Sequence, residues 1–291
     1  MNAEKQSDAW ISVIDESLNA DVSRNMNLFL QCGSDFFAAA VLDTDRNKFV
    51  ALIDYRFPYP METRDLHENI LGIIEQNKTL LDNRYDSVSL SLCGFKNTLL
   101  PDVFFDVDKM ETLFSINHAK EDNEMILYDN LRRISAKNLY AVPKELYHFF
   151  TSYYSNLSVF HGATPLIEGL LTQHKNTTGK VVTINVQNRY FEMVVATGGD
   201  LEYYNRFNFQ TPEDFMYYLV FVYEQLELNP ETDTLHIAGT IEKNSALLTL
   251  IRKYIRNTQF TQRPAFCFYS YGFEDVIPYY HFSLYNQFLC V

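Results

Sequence analysis

Three short apolar runs decide the fold: NLFLQ at 27–31, FFAAAVL at 36–42 and FVALIDY at 49–55. Each is a few residues long, rich in β-branched or aromatic side chains and bounded by turn formers, which is the signature of strands. The links between them, Cys32-Gly33-Ser34-Asp35 and residues 43–47, are too short for a crossover and predict an antiparallel meander. A helix is predicted next. Thr63 can cap it, and Leu66, Ile70, Ile73, Ile74, Asn77 and Leu81 fall close to a 3.6-residue period. SVSLSLC at 87–93 then reads as a fourth strand, stopped by Gly94.

The same pattern returns later in the chain. KVVTINV at 180–186, YFEMVVAT at 190–197 and LEYYNRF at 201–207 form a second meander, with turns at 187–189 and 198–200. Thr211-Pro212-Glu213-Asp214 combines a cap, a first-turn proline and acids at the positive end of the helix dipole. Phe215, Tyr218, Leu219, Val222 and Leu226 give that helix one apolar face. A strand at 235–238 runs into Gly239-Thr240, and a helix over 245–256 follows. The unit strand–strand–strand–helix–strand therefore occurs twice, its first strands roughly 154 residues apart, and an internal repeat outweighs any single motif.

Between the two units the signals weaken. Residues 97–126 are acidic (Asp102, Asp106, Asp108, Glu111, Glu121, Asp122 and Glu124) but keep Phe104, Phe105, Leu113 and Phe114. Strands are predicted at 125–129, 138–142 and 157–160, with helices starting at Pro143 and at Thr164-Pro165. After 256, a strand over 266–269 and a short helix near 281–290 are expected. The reading divides the chain into a polar N-terminal segment (1–24), a first lobe (25–160), a connecting helix and linker (161–179) and a second lobe (180–291).

Composition removes several classes of function. The 291 residues carry a net charge of −13, which repels phosphate backbones and argues against nucleic acid as a partner. No run of about 18 apolar residues exists, so no membrane insertion is expected. The first ten residues lack the apolar stretch of a signal peptide. Four scattered cysteines, Cys32, Cys93, Cys267 and Cys290, offer neither a disulfide framework nor a CxxC pair. A cytoplasmic location is predicted.

A meander followed by a helix and a parallel strand resembles the ribonuclease-H-like unit, and two in tandem make the architecture of actin, Hsp70, sugar kinases and the pilus-assembly protein PilM. Its element order, NLFLQCGSDFFAAAVLD at 27–43, LHIAGTIEKNSALLTLIRKYI at 235–255 and HFSLYNQFLCV at 281–291 make the chain similar to an uncharacterised bacterial family with an actin-like ATPase fold. The likeness covers most of 25–291 and extends distantly to PilM-type proteins. It implies an α/β fold of two tandem ribonuclease-H-like lobes, each a mixed sheet flanked by helices.

The resemblance also says where a nucleotide would lie. In active members the first hairpin of each lobe carries an acid–x–Gly motif, whose glycine admits the phosphates and whose carboxylate orients Mg²⁺. Here the first lobe reads Gln31-Cys32-Gly33-Ser34, with glutamine in place of the acid, and the second reads Asn185-Val186-Gln187, with neither acid nor glycine. Ala238-Gly239-Thr240 resembles a shortened adenosine loop. The candidate cofactor contacts are thus Gly33, Ser34, Gly239 and Thr240. No metal ligand or catalytic residue is assigned, and ATP is the one cofactor left open. Neither opening strand has the mid-strand acid that a two-metal nuclease would need.

Other chemistry is bland. The seven histidines form no HxH or HExxH pattern, and Asp233 with His236 reads better as a turn acid and a strand histidine than as an acid–base pair. The aromatics are in surplus: Tyr203, Tyr204, Phe207, Phe209, Tyr217, Tyr218, Tyr269, Tyr271, Tyr279, Tyr280, Phe282 and Tyr285 crowd the second half. The expected function is a non-catalytic binding or scaffold protein that meets a protein partner or itself. The alternative is an ATP-binding enzyme or small-molecule kinase using displaced acids such as Asp35, Asp43 or Asp200, which then must converge. A third reading is a sensor that closes on nucleotide without hydrolysing it.

Overall fold

The computed structural model describes residues 8–16, 18, 25–81 and 85–291. It divides into two compact units: Met1–Pro165 with Ala265–Val276 and Ser283–Val291, and Leu166–Pro264 with Ile277–Phe282. The expected lobes differ from this division in one large respect. Most of the chain's end joins the first unit, where the sequence reading left it with the second.

The first unit begins with β1 (Ile11–Ile14), β2 (Met26–Gly33), β3 (Phe36–Asp43) and β4 (Lys48–Arg56). Then come α1 (Thr63–Gln76), α2 (Lys78–Leu81) and β5 (Ser87–Leu92). Thr63 is the first helical residue rather than the cap; Glu62 takes that place without a side-chain capping bond. β1 lies within the segment read as polar, where no strand was expected: it pairs antiparallel with β4 through Ile11–Asp54 to Ile14–Ala51. The rest of the expected 1–24 segment, apart from 8–16 and 18, lies outside the described residues.

The acidic stretch folds into a module of its own. β6 (Asn97–Pro101), α3 (Met110–Ser115), β7 (Glu124–Leu131) and β8 (Ala136–Pro143) make a three-stranded sheet, order β6-β8-β7, around Phe114, Ile126, Leu139 and Ala141. α4 (Lys144–Tyr153) and β9 (Leu157–His161) return to the main sheet. α5 (Ala163–Gln173) begins in the first unit and ends in the second.

The second unit has β10 (Lys180–Val186), β11 (Tyr190–Thr197), β12 (Asp200–Asn208), α6 (Pro212–Gln225), β13 (Leu235–Gly239), α7 (Ala246–Tyr254) and β14 (Thr258–Phe260). The Thr211 signal is realised as a capping box: its hydroxyl accepts from Asp214 N–H, and the Asp214 carboxylate answers the Thr211 N–H. The chain ends with β15 (Phe268–Tyr269) and α8 (Phe282–Asn286).

The two main sheets share one plan. β12-β11-β10-β13-β14 repeats β4-β3-β2-β5-β9 in order and in strand sense, with antiparallel hairpins first and parallel strands after. Even the register slip recurs, between Val41 and Leu42 in β3 and between Val195 and Ala196 in β11, positions 154 apart. Leu28 and Val182 thus stand in separate sheets, as a repeated unit requires.

β2 and β3 are apolar at both parities, so both faces of their sheet demand cover. One face, with Leu28, Leu30, Phe37 and Val41, packs on Leu66, Ile70 and Ile74 of α1 and Leu146 and Phe150 of α4. The opposite face, with Phe29, Ala38, Ala40, Phe49 and Leu52, packs on Cys267, Phe273, Val276, Leu284 and Tyr285. The carboxy-terminal segment is that second layer. β15 secures it by pairing in parallel with β4, and Asn47 bonds the Phe266 carbonyl oxygen through its side chain.

Candidate functional site

At the end of β2, Gln31 lies opposite Ala38 on β3 and Ser91 on β5. Its side chain is buried, and its Nε2 donates to Ser283 Oγ at 2.8 Å. One helical turn later, Gln287 donates to the Leu30 carbonyl at 2.8 Å and to Ser91 Oγ at 2.9 Å. Ser283 and Gln287 therefore bind directly over the strand ends where an acid–x–Gly motif would act. Nothing local in HFSLYNQFLCV signals this.

Asn185 holds the matching position in the second unit, 154 residues on, opposite Glu192 on β11 and Ala238 on β13. It too is buried, and its Nδ2 donates to Glu192 Oε2 at 2.9 Å. Tyr204 donates its hydroxyl to Glu192 Oε1 at 2.9 Å. Burial pushes the Glu192 carboxyl above the usual range, and the two donors pull it back. Sequence reasoning missed Glu192, whose only signal was a charge in the middle of an apolar strand.

The candidate cofactor residues fall in different units, Gly33-Ser34 in the first and Gly239-Thr240 in the second. A Cβ on Gly33 would meet the Phe36 ring at 2.4 Å. Ser34 is exposed at the turn and its carbonyl accepts from Met61 N–H. Gly239 has φ +89, and a Cβ there would lie 2.1 Å from the Val186 carbonyl oxygen. Both glycines are thus demanded by the packing of the protein itself. The N–H groups that could face a phosphate are also committed: Gly239 donates to the Tyr279 carbonyl at 3.0 Å and Thr240 to the Val186 carbonyl at 2.8 Å.

Asp35 and Asp43, both in the first unit, do not gather. Asp35 precedes β3 and Asp43 ends it, which sets them roughly 26 Å apart along the strand. Asp43 accepts from Arg46 N–H and pairs with its guanidinium at 3.6 Å. Asp200 is exposed at the start of β12, opposite Thr197. Among the described residues, no group of three or more His, Cys, Asp or Glu side chains is arranged to hold a metal ion. Within each unit, then, a neutral carboxamide whose N–H is bonded to the protein stands at the first hairpin: Gln31 in the first unit and Asn185 in the second.

Other residues singled out have structural partners. Asp233 accepts from Asn229 N–H at 2.8 Å, while His236 lies against His174 with ring centroids 5.0 Å apart and ring planes tilted by 57°. Burial, and then His174, pushes His236 down to about 4. Of the aromatic surplus, Tyr279, Tyr280, Phe282 and Tyr285 are buried, and Tyr217 and Tyr271 are exposed. The four cysteines are buried and form no disulfide. No described helix is long and apolar enough to cross a membrane.

A family model described as a protein of unknown function, DUF3822, matches residues 15–258. The chain belongs to that family. No curated protein sequence matches it. Among solved structures, this DUF3822 chain is similar to a Bacteroides thetaiotaomicron protein with an actin-like ATPase fold and unknown function. The identity is 24%, over 82% of this chain and 91% of that one, with a TM-score of 0.74. It is also similar to a chain of the PilM–PilN type IV pilus biogenesis complex, at 11% identity over 90% of this chain and 97% of that one, with a TM-score of 0.58. The fold is therefore the actin-like ATPase fold expected from the repeated unit.

Proposed function

We propose that this DUF3822 chain is a non-catalytic cytoplasmic binding or scaffold protein, an actin-like fold whose nucleotide machinery has degenerated. The observation that carries this reading is the matched pair Gln31 and Asn185. Phosphoryl transfer in this fold uses a carboxylate at the first hairpin of each lobe to orient Mg²⁺, and a neutral carboxamide supplies no such charge. Both positions hold a buried carboxamide whose N–H is given to a protein oxygen. The fold's likeness to a chain in the PilM–PilN complex supports a role in holding a protein partner.

Calorimetric titration of the purified chain with ATP, with and without Mg²⁺, tests this. No heat at millimolar ATP is the expected result. Binding indifferent to Mg²⁺ replaces the scaffold with a nucleotide sensor, and micromolar binding that requires Mg²⁺ overturns the reading in favour of an enzyme.

A further inference from the structure

The three-stranded module has no counterpart in the second unit, where β13 leads directly into α7. Its connection from β6 to α3 displays apolar side chains that its own small core does not use. Val103 is 84% exposed, Phe104 66% and Val107 54%, while Phe105 between them turns inward onto Tyr128, ring centroids 4.7 Å apart. Three outward apolar residues within five positions carry a solvation cost that the fold does not require.

The segment is also held in place. Asp102 N–H donates to the Ser135 carbonyl at 2.9 Å, and the Asp102 carboxylate pairs with Lys137 at 3.2 Å. Asp106 caps the next turn by accepting from Asp108 N–H at 3.1 Å, and pairs with Lys109 at 2.7 Å. Phe104 is thus displayed on a pinned backbone, and a partner would not have to order it.

Charge selects the partner. Asp102, Asp106, Asp108 and Glu111 surround the apolar residues in sequence, against Lys109 as the one cation of that stretch. Lys137 and Lys120, 20% and 30% exposed, answer Asp102 and Glu111, 43% and 70% exposed, and Lys109, 69% exposed, answers Asp106, so the excess over these three ion pairs is the Asp108 carboxylate. An acidic face on a chain of net charge −13 repels a second copy of itself, nucleic acid and anionic lipid, and favours a basic protein segment.

We propose that the outward face of residues 102–111 is a docking site for a basic, amphipathic segment of a partner protein, with Phe104 as its anchor. The proposal rests on the scaffold reading and names its surface. Fluorescence anisotropy with two labelled model peptides tests it, one an amphipathic leucine–lysine sequence and the other its leucine–glutamate counterpart. The leucine–lysine peptide binds the wild type; Phe104→Ser and Asp108→Lys each weaken it by about tenfold, and Tyr217→Ser, at an exposed aromatic in the other unit, leaves it unchanged. Thermal midpoints of all three variants match the wild type, because each replaced side chain is exposed.

Equal binding by Phe104→Ser and the wild type overturns the site, as does equal binding of the glutamate peptide. Sedimentation showing a wild-type dimer that Phe104→Ser dissolves replaces the partner with a second copy. None of these outcomes touches the ATP titration. Conversely, Mg²⁺-dependent ATP binding would remove the scaffold reading even if the peptide docks.

Discussion

Gln31 and Asn185 occupy the same register position in two separate sheets, and each gives its side-chain N–H to an oxygen of its own unit, Ser283 Oγ and Glu192 Oε2. The neighbours make the two positions unequal. Asn185→Asp would set a buried carboxylate against Glu192, so one of the two must hold a proton to stay folded. We expect a loss of about 3 kcal/mol at neutral pH. The raised folded pKa means the loss is small in acid and grows as pH rises. Gln31→Asp, beside hydroxyls, costs about 1 kcal/mol. Urea midpoints of both variants at pH 5 and pH 8 check this; a deficit independent of pH in Asn185→Asp would reject the coupling.

The two candidate glycines should differ as sharply. Gly239→Ala combines φ +89 with a Cβ pressed on backbone atoms of Val186, neither of which can yield. About 3 kcal/mol or more is expected to be lost. At Gly33 the obstacle is the Phe36 ring, a side chain that can rotate away, and Gly33→Ala should cost about 1–2 kcal/mol. Thermal unfolding of the two variants side by side reads the difference. A Gly239→Ala chain that melts with the wild type would mean β13 can shift against β10.

A buried carboxyl and a half-buried imidazole give stability opposite slopes with pH. Asp129, at the hub of Tyr140 O–H, His161 N–H and Thr164 O–H, is pushed up to about 7, because burial outweighs those three donors. The folded chain then holds a proton that the unfolded chain has released, so stability falls as pH rises from about 4 through 7. His236, pushed down to about 4 by burial and by His174, works the other way: stability falls as pH drops from about 6.5 through 4. Asp129→Asn should flatten the first slope and His236→Phe the second. Denaturation midpoints across pH 4–8 test each, and an unchanged profile in either variant rejects its assignment.

The carboxy-terminal layer should matter to the first unit as much as its nearer helices do. Leu284 has no exposed surface and packs on the face of Phe29, Phe49 and Leu52. Leu284→Ala is expected to cost 2–5 kcal/mol, roughly as much as Leu30→Ala on the opposite face. Hydrogen exchange should show β2 and β3 losing protection in Leu284→Ala. If protection falls only in the second unit, the tail does not belong to the first.

What was legible locally came through. Short apolar runs and turn chemistry placed both meanders, Thr211-Pro212-Glu213-Asp214 placed α6, and Gln31 and Asn185 stood out where the resemblance implied acids. Errors followed from the same local view. Thr63 was read as a cap, though the chain makes it the first helical residue and leaves the cap to Glu62. β1 was hidden because Ile11–Ile14 alternates only half-buried and gains its stability from pairing with β4. The acids Asp35 and Asp43 look near in sequence, but a strand lies between them.

By itself the sequence determined the two repeated sheets and the strong helix starts, because turns, caps and periodicity act over a few residues. The tertiary structure decided what covers the second face of the first sheet, which groups engage Gln31 and Asn185, and which aromatics stay in water. Apolar character says that Phe29 and Phe49 must be buried without saying against what. The bonds from Gln31 to Ser283 and from Gln287 to Leu30 span 252 and 257 residues, and only the folded chain brings such positions together.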